Sequence, residues 1–150
     1  MPTEVAFRRA VLDDLPAIMA LLADDDVARD RGGYTGELPL DAFAAIDADP
    51  RNELVVAISG RMVVGTCQLT FIPGLSRGGA ERMTIEAVRV RSDLRGAGIG
   101  RRMMAYAVDR ARARGCALVQ LTTDKRRSQA HRFYESLGFV ASHEGMKLAL

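Results

Sequence analysis

Polar and apolar side chains alternate from Val5 to Arg9, which predicts a short strand. Leu15, Ile18, Met19 and Leu22 then recur at helical spacing, with Asp13 placed as a helix N-cap. From Asp24 to Leu40 an acidic triplet, Arg29, Arg31, three glycines and Pro39 predict a loop, and a second helix is expected near Leu40 to Ile46. Leu54 to Ile58 and Val63 to Ile72 flank Ser59, Gly60 and Arg61 as two antiparallel strands would flank a tight turn. Pro73 to Glu81 reads as a glycine-rich loop, and Met83 to Val90 as a further strand. A glycine-rich turn leads into a long amphipathic helix from about Gly98 to Arg114, with Gly115 as its stop.

Cys116 to Thr122 is β-rich and mostly apolar, the pattern of a strand buried on both faces. Ser128 can cap a last helix that carries Ala130, Phe133, Tyr134 and Leu137 on one side and ends at Gly138. The remaining residues, Phe139 to Leu150, suit one or two closing strands. The order is strand, two helices, three strands, helix, strand, helix, strand. That order predicts one α+β domain over residues 1–150, a mixed sheet with helices on both faces.

Composition narrows this picture. Apolar residues at 48% and charged residues at 27% fit a globular protein and are too apolar for a disordered one. The 21 basic residues exceed the 19 acidic ones by only two and are spread along the chain, so nothing points to nucleic acid. Lysine occurs only at Lys125 and Lys147; the other basic side chains are arginines, whose guanidinium groups suit bidentate contacts to phosphate or carboxylate. No apolar run reaches the roughly 18 residues of a membrane span, and Glu4, Asp13 and Asp14 interrupt the first segment where a signal peptide would be apolar. A cytoplasmic protein with no membrane contact is expected. Cys67 and Cys116 lack metal-ligand spacing and are read as reduced, buried thiols, and no metal is implied.

The sharpest local signal is Arg95-Gly96-Ala97-Gly98-Ile99-Gly100, between the strand ending at Val90 and the long helix. Glycines remove side chains where backbone must approach a ligand, and the first amides of a helix have no intrahelical acceptor. Such a start can hold a pyrophosphate, with Arg95, Arg101 and Arg102 adding charge, although a plain turn before a helix would look similar. A P-loop would need Lys-Ser or Lys-Thr after Gly100, where Arg101-Arg102 stand, and a dinucleotide fingerprint would need a glycine at Arg101.

The run resembles the cofactor loop of the GCN5-related N-acetyltransferase (GNAT) superfamily, with its pattern Arg/Gln-x-x-Gly-x-Gly/Ala. A second block, Ala130 through Phe139, is similar to the family's last helix and the strand start that close the cofactor site. The element order agrees, so the resemblance extends over nearly the whole chain. It implies the acyl-CoA N-acyltransferase fold, acetyl-coenzyme A as acyl donor, and direct transfer to an amine in a ternary complex. It further implies cofactor contacts from the backbone at Val88 and Val90 and from Arg95, Gly96, Gly98, Gly100 and Arg101. An amide near Val88 would point at the thioester oxygen and stabilise a tetrahedral intermediate.

The same resemblance nominates Glu86 as the base that takes the amine proton, directly or through water, and Tyr134 as the acid that protonates the departing thiolate. By simple strand alternation Glu86 shares the face of Val88 and Val90. The plainer readings are a carboxylate paired with Arg82 or Arg89 and a core tyrosine beside Phe133. One departure is Arg127, which stands where the family often has a cofactor-contacting asparagine. Arg127 with Lys125 and Arg126 then reads either as a coenzyme A phosphate contact or as a solvated basic turn, and His131 as a surface residue.

Thr122 through Leu150 is also similar to the aminoalkylphosphonate N-acetyltransferase branch. Arg77 and Arg82 favour an anionic acceptor and Asp24, Asp25 and Asp26 a cationic one, so charge does not choose. A small-molecule amine is the expected acceptor. The alternatives are a protein lysine or N-terminal acetyltransferase and a noncatalytic acyl-CoA-sensing module, and a homodimer is compatible with either.

Overall fold

The alternating first segment is strand β1, Ala6–Arg9. Its odd-numbered side chains Phe7 and Arg9 face Ala57 and Val55 across the antiparallel pairing with β2, Asn52–Ser59. Strand β2 turns at Gly60, where φ is 62°, into β3, Met62–Ile72, and β3 pairs antiparallel with β4, Arg82–Val90. The fifth strand, β5, Leu118–Leu121, completes the order β1-β2-β3-β4-β5. The Ala117 amide donates to the Glu81 carbonyl (2.8 Å) and Gln120 Nε2 to Thr84 Oγ1 (3.0 Å). Both partners advance in the same direction, so β5 runs parallel to β4 and the sheet is mixed.

The structure, a computed structural model, describes residues 4–24 and 36–150. Among them the α-helices are α1, Leu15–Ala23; α2, Leu40–Ala48; α3, Ile99–Arg114; and α4, Ser128–Ser136. Most of the loop expected between Asp24 and Leu40 lies outside the described residues. The chain forms a larger compact unit, Met1–Gln120, and a smaller one, Leu121–Leu150.

In the larger unit the strand register assigns each side chain to a face. One face presents Val55, Ala57, Leu69, Phe71, Met83 and Ile85, all buried, to α3. Helix α3 answers with Ile99, Met103, Met104, Ala107 and Ala111, a stripe at helical spacing. Burying each of the larger side chains contributes about 1.5–3 kcal/mol. A Cβ at Gly65 would come within 3.1 Å of the Arg89 carbonyl oxygen, tight enough that β4 would have to shift slightly to admit a side chain. Arg110 clamps Glu53 at 2.6 Å, and Arg114 holds Glu81 at 2.9 Å while its guanidinium lies 4.2 Å from the Phe71 ring centre. The other face packs Val56 against Ala10, Leu15, Ile18 and Phe43, which brings α1 and α2 onto it. Helices therefore cover both faces.

Several expectations change. Asp14, not Asp13, organises the start of α1: it is buried, accepts the Val11 amide at 2.8 Å, and takes both guanidinium nitrogens of Arg8 at 2.7 and 3.0 Å. Strand β5 is an edge strand with Gln120 exposed, so it is not buried on both faces. Ser128 is the first residue of α4, and Arg127 occupies the cap position without a side-chain cap bond. Residues 139–150 contain no strand; Met146 and Leu148 are exposed, so the apolar alternation there is not matched by a ladder.

The Arg8 guanidinium holds the Asp14 carboxyl below its ordinary value of 3.8, against the opposing effect of burial. A depressed folded value contributes stability above the unfolded value, and that contribution is lost as pH falls through the folded one. Asp14→Asn should therefore cost about 1–3 kcal/mol at pH 7, discounted from a fully buried pair because half of Arg8 meets solvent. Urea midpoints of the two proteins should converge as pH drops below 3.8.

Candidate active site

The site residues on β4 are placed by one irregularity. Gln68 stands opposite Glu86 and Thr66 opposite Arg89, so two steps along β3 match three along β4. Ala87 and Val88 share the position opposite Cys67, and Ala87 has φ 53°, the left-handed region that a side chain disfavours. The extra residue resets the alternation. Glu86 shares a face with Thr66, Gln68 and Arg89, whereas Val90, opposite Gly65, and Val88 lie on the α3 face. The expectation that Glu86, Val88 and Val90 share one face is thus corrected, because simple alternation assumes no bulge.

Glu86 is exposed, and among the described residues its carboxylate makes no ion pair or hydrogen bond, with Arg82 and Arg89 included. Arg89 is half-buried and donates from Nη1 to the Val88 carbonyl at 2.8 Å. On the same face as Glu86 a cavity of about 230 Å³ opens beneath α1 and α2, and Gln68 and Ala87 reach its floor.

Beyond β4 a single 3-10 turn, Ser92–Leu94, leads into the glycine run, with Arg91 gripping Asp93 at 2.6 Å. Gly96 and Gly98 have φ of 85° and 84°, and a methyl added at either would meet no atom, so backbone conformation and not crowding requires glycine here. The Ala97 amide donates to the Leu94 carbonyl (3.3 Å), and the Arg102 amide is the first to bond back into the helix, to the Gly98 carbonyl (3.1 Å). The amides of Ile99, Gly100 and Arg101 precede that first helical bond, and Ile99 is buried as the anchor of the helix start. These amides and the helix dipole fit a bound pyrophosphate. Arg95 and Arg101 are exposed beside them. Arg102 instead anchors the helix to β1: its Nη2 donates to the Val5 carbonyl at 2.8 Å, and its guanidinium lies 5.8 Å from the Phe7 ring centre.

In the smaller unit Tyr134 is half-buried and packs edge-to-face with Phe133 (5.2 Å) and Phe139 (5.8 Å). His131 Nε2 lies 3.2 Å from the Asp124 carbonyl oxygen, Arg126 pairs with Asp124, and Lys125 approaches Glu144 at 3.8 Å. The basic turn is thereby tied to local carboxylates. The Cys67 thiol is pushed up to about 12 by burial, and that of Cys116 is raised by the same cause with Glu81 adding to it, so both are poor thiolates.

The family model for the acetyltransferase (GNAT) family matches residues 16–139. The chain belongs to this family. This GNAT-type N-acetyltransferase is 31% identical over 136 residues to an aminoalkylphosphonate N-acetyltransferase of Salmonella typhimurium, covering 91% of the chain and 85% of that protein. It is 31% identical over 141 residues to a streptothricin acetyltransferase of Streptomyces lavendulae, covering 92% and 70%. The solved structure of a transcriptional regulator from Bacillus halodurans C-125 superposes with a TM-score of 0.93 at 48% identity, covering 98% and 100%. Membership implies acetyl-coenzyme A as the donor, and no helix among the described residues is long and apolar enough to cross a membrane.

Reading the GNAT sequence alone missed Ala87, Gln68 and the cavity. A glycine at 87 would have signalled the bulge; an alanine between Glu86 and Val88 carries no such signal. Ala87→Gly should leave stability unchanged or raise it by up to about 1 kcal/mol, because glycine relieves the left-handed strain. Ala87→Val should cost about 1–3 kcal/mol. Thermal unfolding checks the assignment: Ala87→Val should melt below the wild type and Ala87→Gly at or above it.

Proposed function

We propose that this N-acetyltransferase moves the acetyl group of acetyl-coenzyme A onto the primary amine of a small molecule, by direct attack without an acyl-enzyme. The observation that carries the reading is Glu86, an acceptor-only carboxylate without a protein partner among the described residues, on the sheet face that opens into a cavity. An alkylamine with a pKa near 10.4 is only on the order of 0.1% neutral at pH 7, so a base at this position gives the attack its nucleophile. Glu86 takes the amine proton, directly or through one water.

Acetyl-coenzyme A supplies an activated acetyl thioester. The backbone at Val88 and Val90 aligns its pantetheine arm, and the loop Arg95, Gly96, Gly98, Gly100 and Arg101 holds its pyrophosphate through amides and guanidinium charge. The Tyr134 hydroxyl donates a proton to the departing sulfur. Two poor thiolates, one of them buried, support direct transfer over a cysteine-linked route.

A sensing role is the second reading, favoured by the name of the Bacillus halodurans structure. Thiol release from acetyl-coenzyme A across a panel of amines separates the two, with acetyl-coenzyme A binding measured alongside. Glu86→Gln should lower kcat about 10²-fold or more, and Tyr134→Phe about tenfold, with donor binding unchanged in both. Binding without amine-dependent release in the wild type would favour the sensor. Gly98→Ala should weaken donor binding about tenfold while sparing the fold, since the added methyl meets no neighbour but disfavours φ 84°.

A further inference from the structure

The cavity beside Glu86 has a definite chemistry. Its described lining comes from apolar side chains of α1, α2 and β2, among them Met19, Leu22, Phe43 and Ile46, and no charged residue of the described chain reaches it. Two donors at its floor are already engaged: Thr66 Oγ1 donates to the Val55 carbonyl at 2.9 Å, and Gln68 Nε2 to Asn52 Oδ1 at 3.2 Å. Gln68 stands directly opposite Glu86, and directly opposed side chains begin about 5 Å apart, so the substituent of an amine held at Glu86 can extend over the cavity floor.

The volume is about 230 Å³, and an apolar cavity of about 150 Å³ suffices for benzene. A phosphonate or phosphate placed there would lose its hydration and meet no described guanidinium, which is costly. A hydrocarbon group would gain on the order of fourfold in binding for each methylene removed from water.

We propose that the acceptor is a primary amine carrying an aliphatic or aryl group, and that this group binds in the cavity between α1, α2 and the sheet. The inference rests on the acetyltransferase reading and names the acceptor class for that same site. It sets this chain apart from its aminoalkylphosphonate-acetylating relative.

The test is kcat/KM for a straight-chain series from methylamine to hexylamine, with benzylamine, aminomethylphosphonate, aminoethylphosphonate and glucosamine 6-phosphate. It is run on the wild type, on Ala42→Phe, which narrows the cavity at an exposed position of its rim, and on Met19→Ala, which widens it. Donor binding and melting temperature verify that the variants fold. The expected result is a rise of about tenfold or more from methylamine to the longer amines. The optimum should move to shorter chains in Ala42→Phe and to longer ones in Met19→Ala, with phosphonates poor throughout. A flat series, a preference for the phosphorylated amines, or variants that scale all amines alike would overturn the inference while leaving the acetyltransferase reading in place. Release from no amine at all, with donor binding intact, would overturn both.

Discussion

The pairing of β3 with β4 is the constraint on which the rest of this molecule depends. Strand β3 lies at the centre of the sheet, and its side chains serve two cores: Leu69 and Phe71 face α3, while Thr66 and Gln68 face α1 and α2. Strand β4 follows this register from Arg82 to Glu86, then carries one residue too many. Because side-chain period in a strand is two, a single inserted residue exchanges the faces of everything beyond it. The carboxylate of Glu86, before the insertion, stays on the cavity face with Gln68, while Val88 and Val90 beyond it turn to the α3 face. The left-handed backbone at Ala87 is tolerated because the ladder from Arg82 to Glu86, with Met83 and Ile85 buried, holds it on one side and the pairs of Arg89 with Thr66 and Val90 with Gly65 hold it on the other.

Anchoring around that ladder is ionic at its rim and apolar within. Arg8 and Asp14 tie β1 to the start of α1, Arg110 and Glu53 tie α3 to β2, and Arg114 reaches both Glu81 and the Pro50 carbonyl. The arginine-rich composition thus has a largely structural outlet. Arg102, adjacent to the glycine run, illustrates the division: it anchors to Val5 and Phe7. A run of three nearby guanidinium groups in the sequence is therefore not a run of three equivalent phosphate ligands.

Relatives named for aminoalkylphosphonates and for streptothricin share about the same fraction of identical residues with this chain. Their differing acceptors agree with the proposed division of labour, in which backbone amides hold the donor and side chains of α1 and α2 meet the acceptor. Backbone geometry survives substitution at most positions, whereas a cavity wall changes with every side chain that lines it. Family membership consequently carries the donor and the reaction further than it carries the acceptor.

What the sequence determined by itself was what local spacing encodes. The period of Leu15, Ile18, Met19 and Leu22, the long stripe of α3, and the glycine stop at 115 were all legible in the order of residues alone. The two motif blocks also carried the family. Only the tertiary structure decided the face of Glu86, the edge position of β5 and the missing strand after Phe139, since each depends on which strands pair and in what register. The choice of Asp14 over Asp13 followed from the same cause: two neighbouring aspartates read alike until the position of Arg8 across the turn distinguishes them. Local propensity acts over a few residues, but a bulge, an edge and a cavity are properties of segments brought together from far apart in the chain.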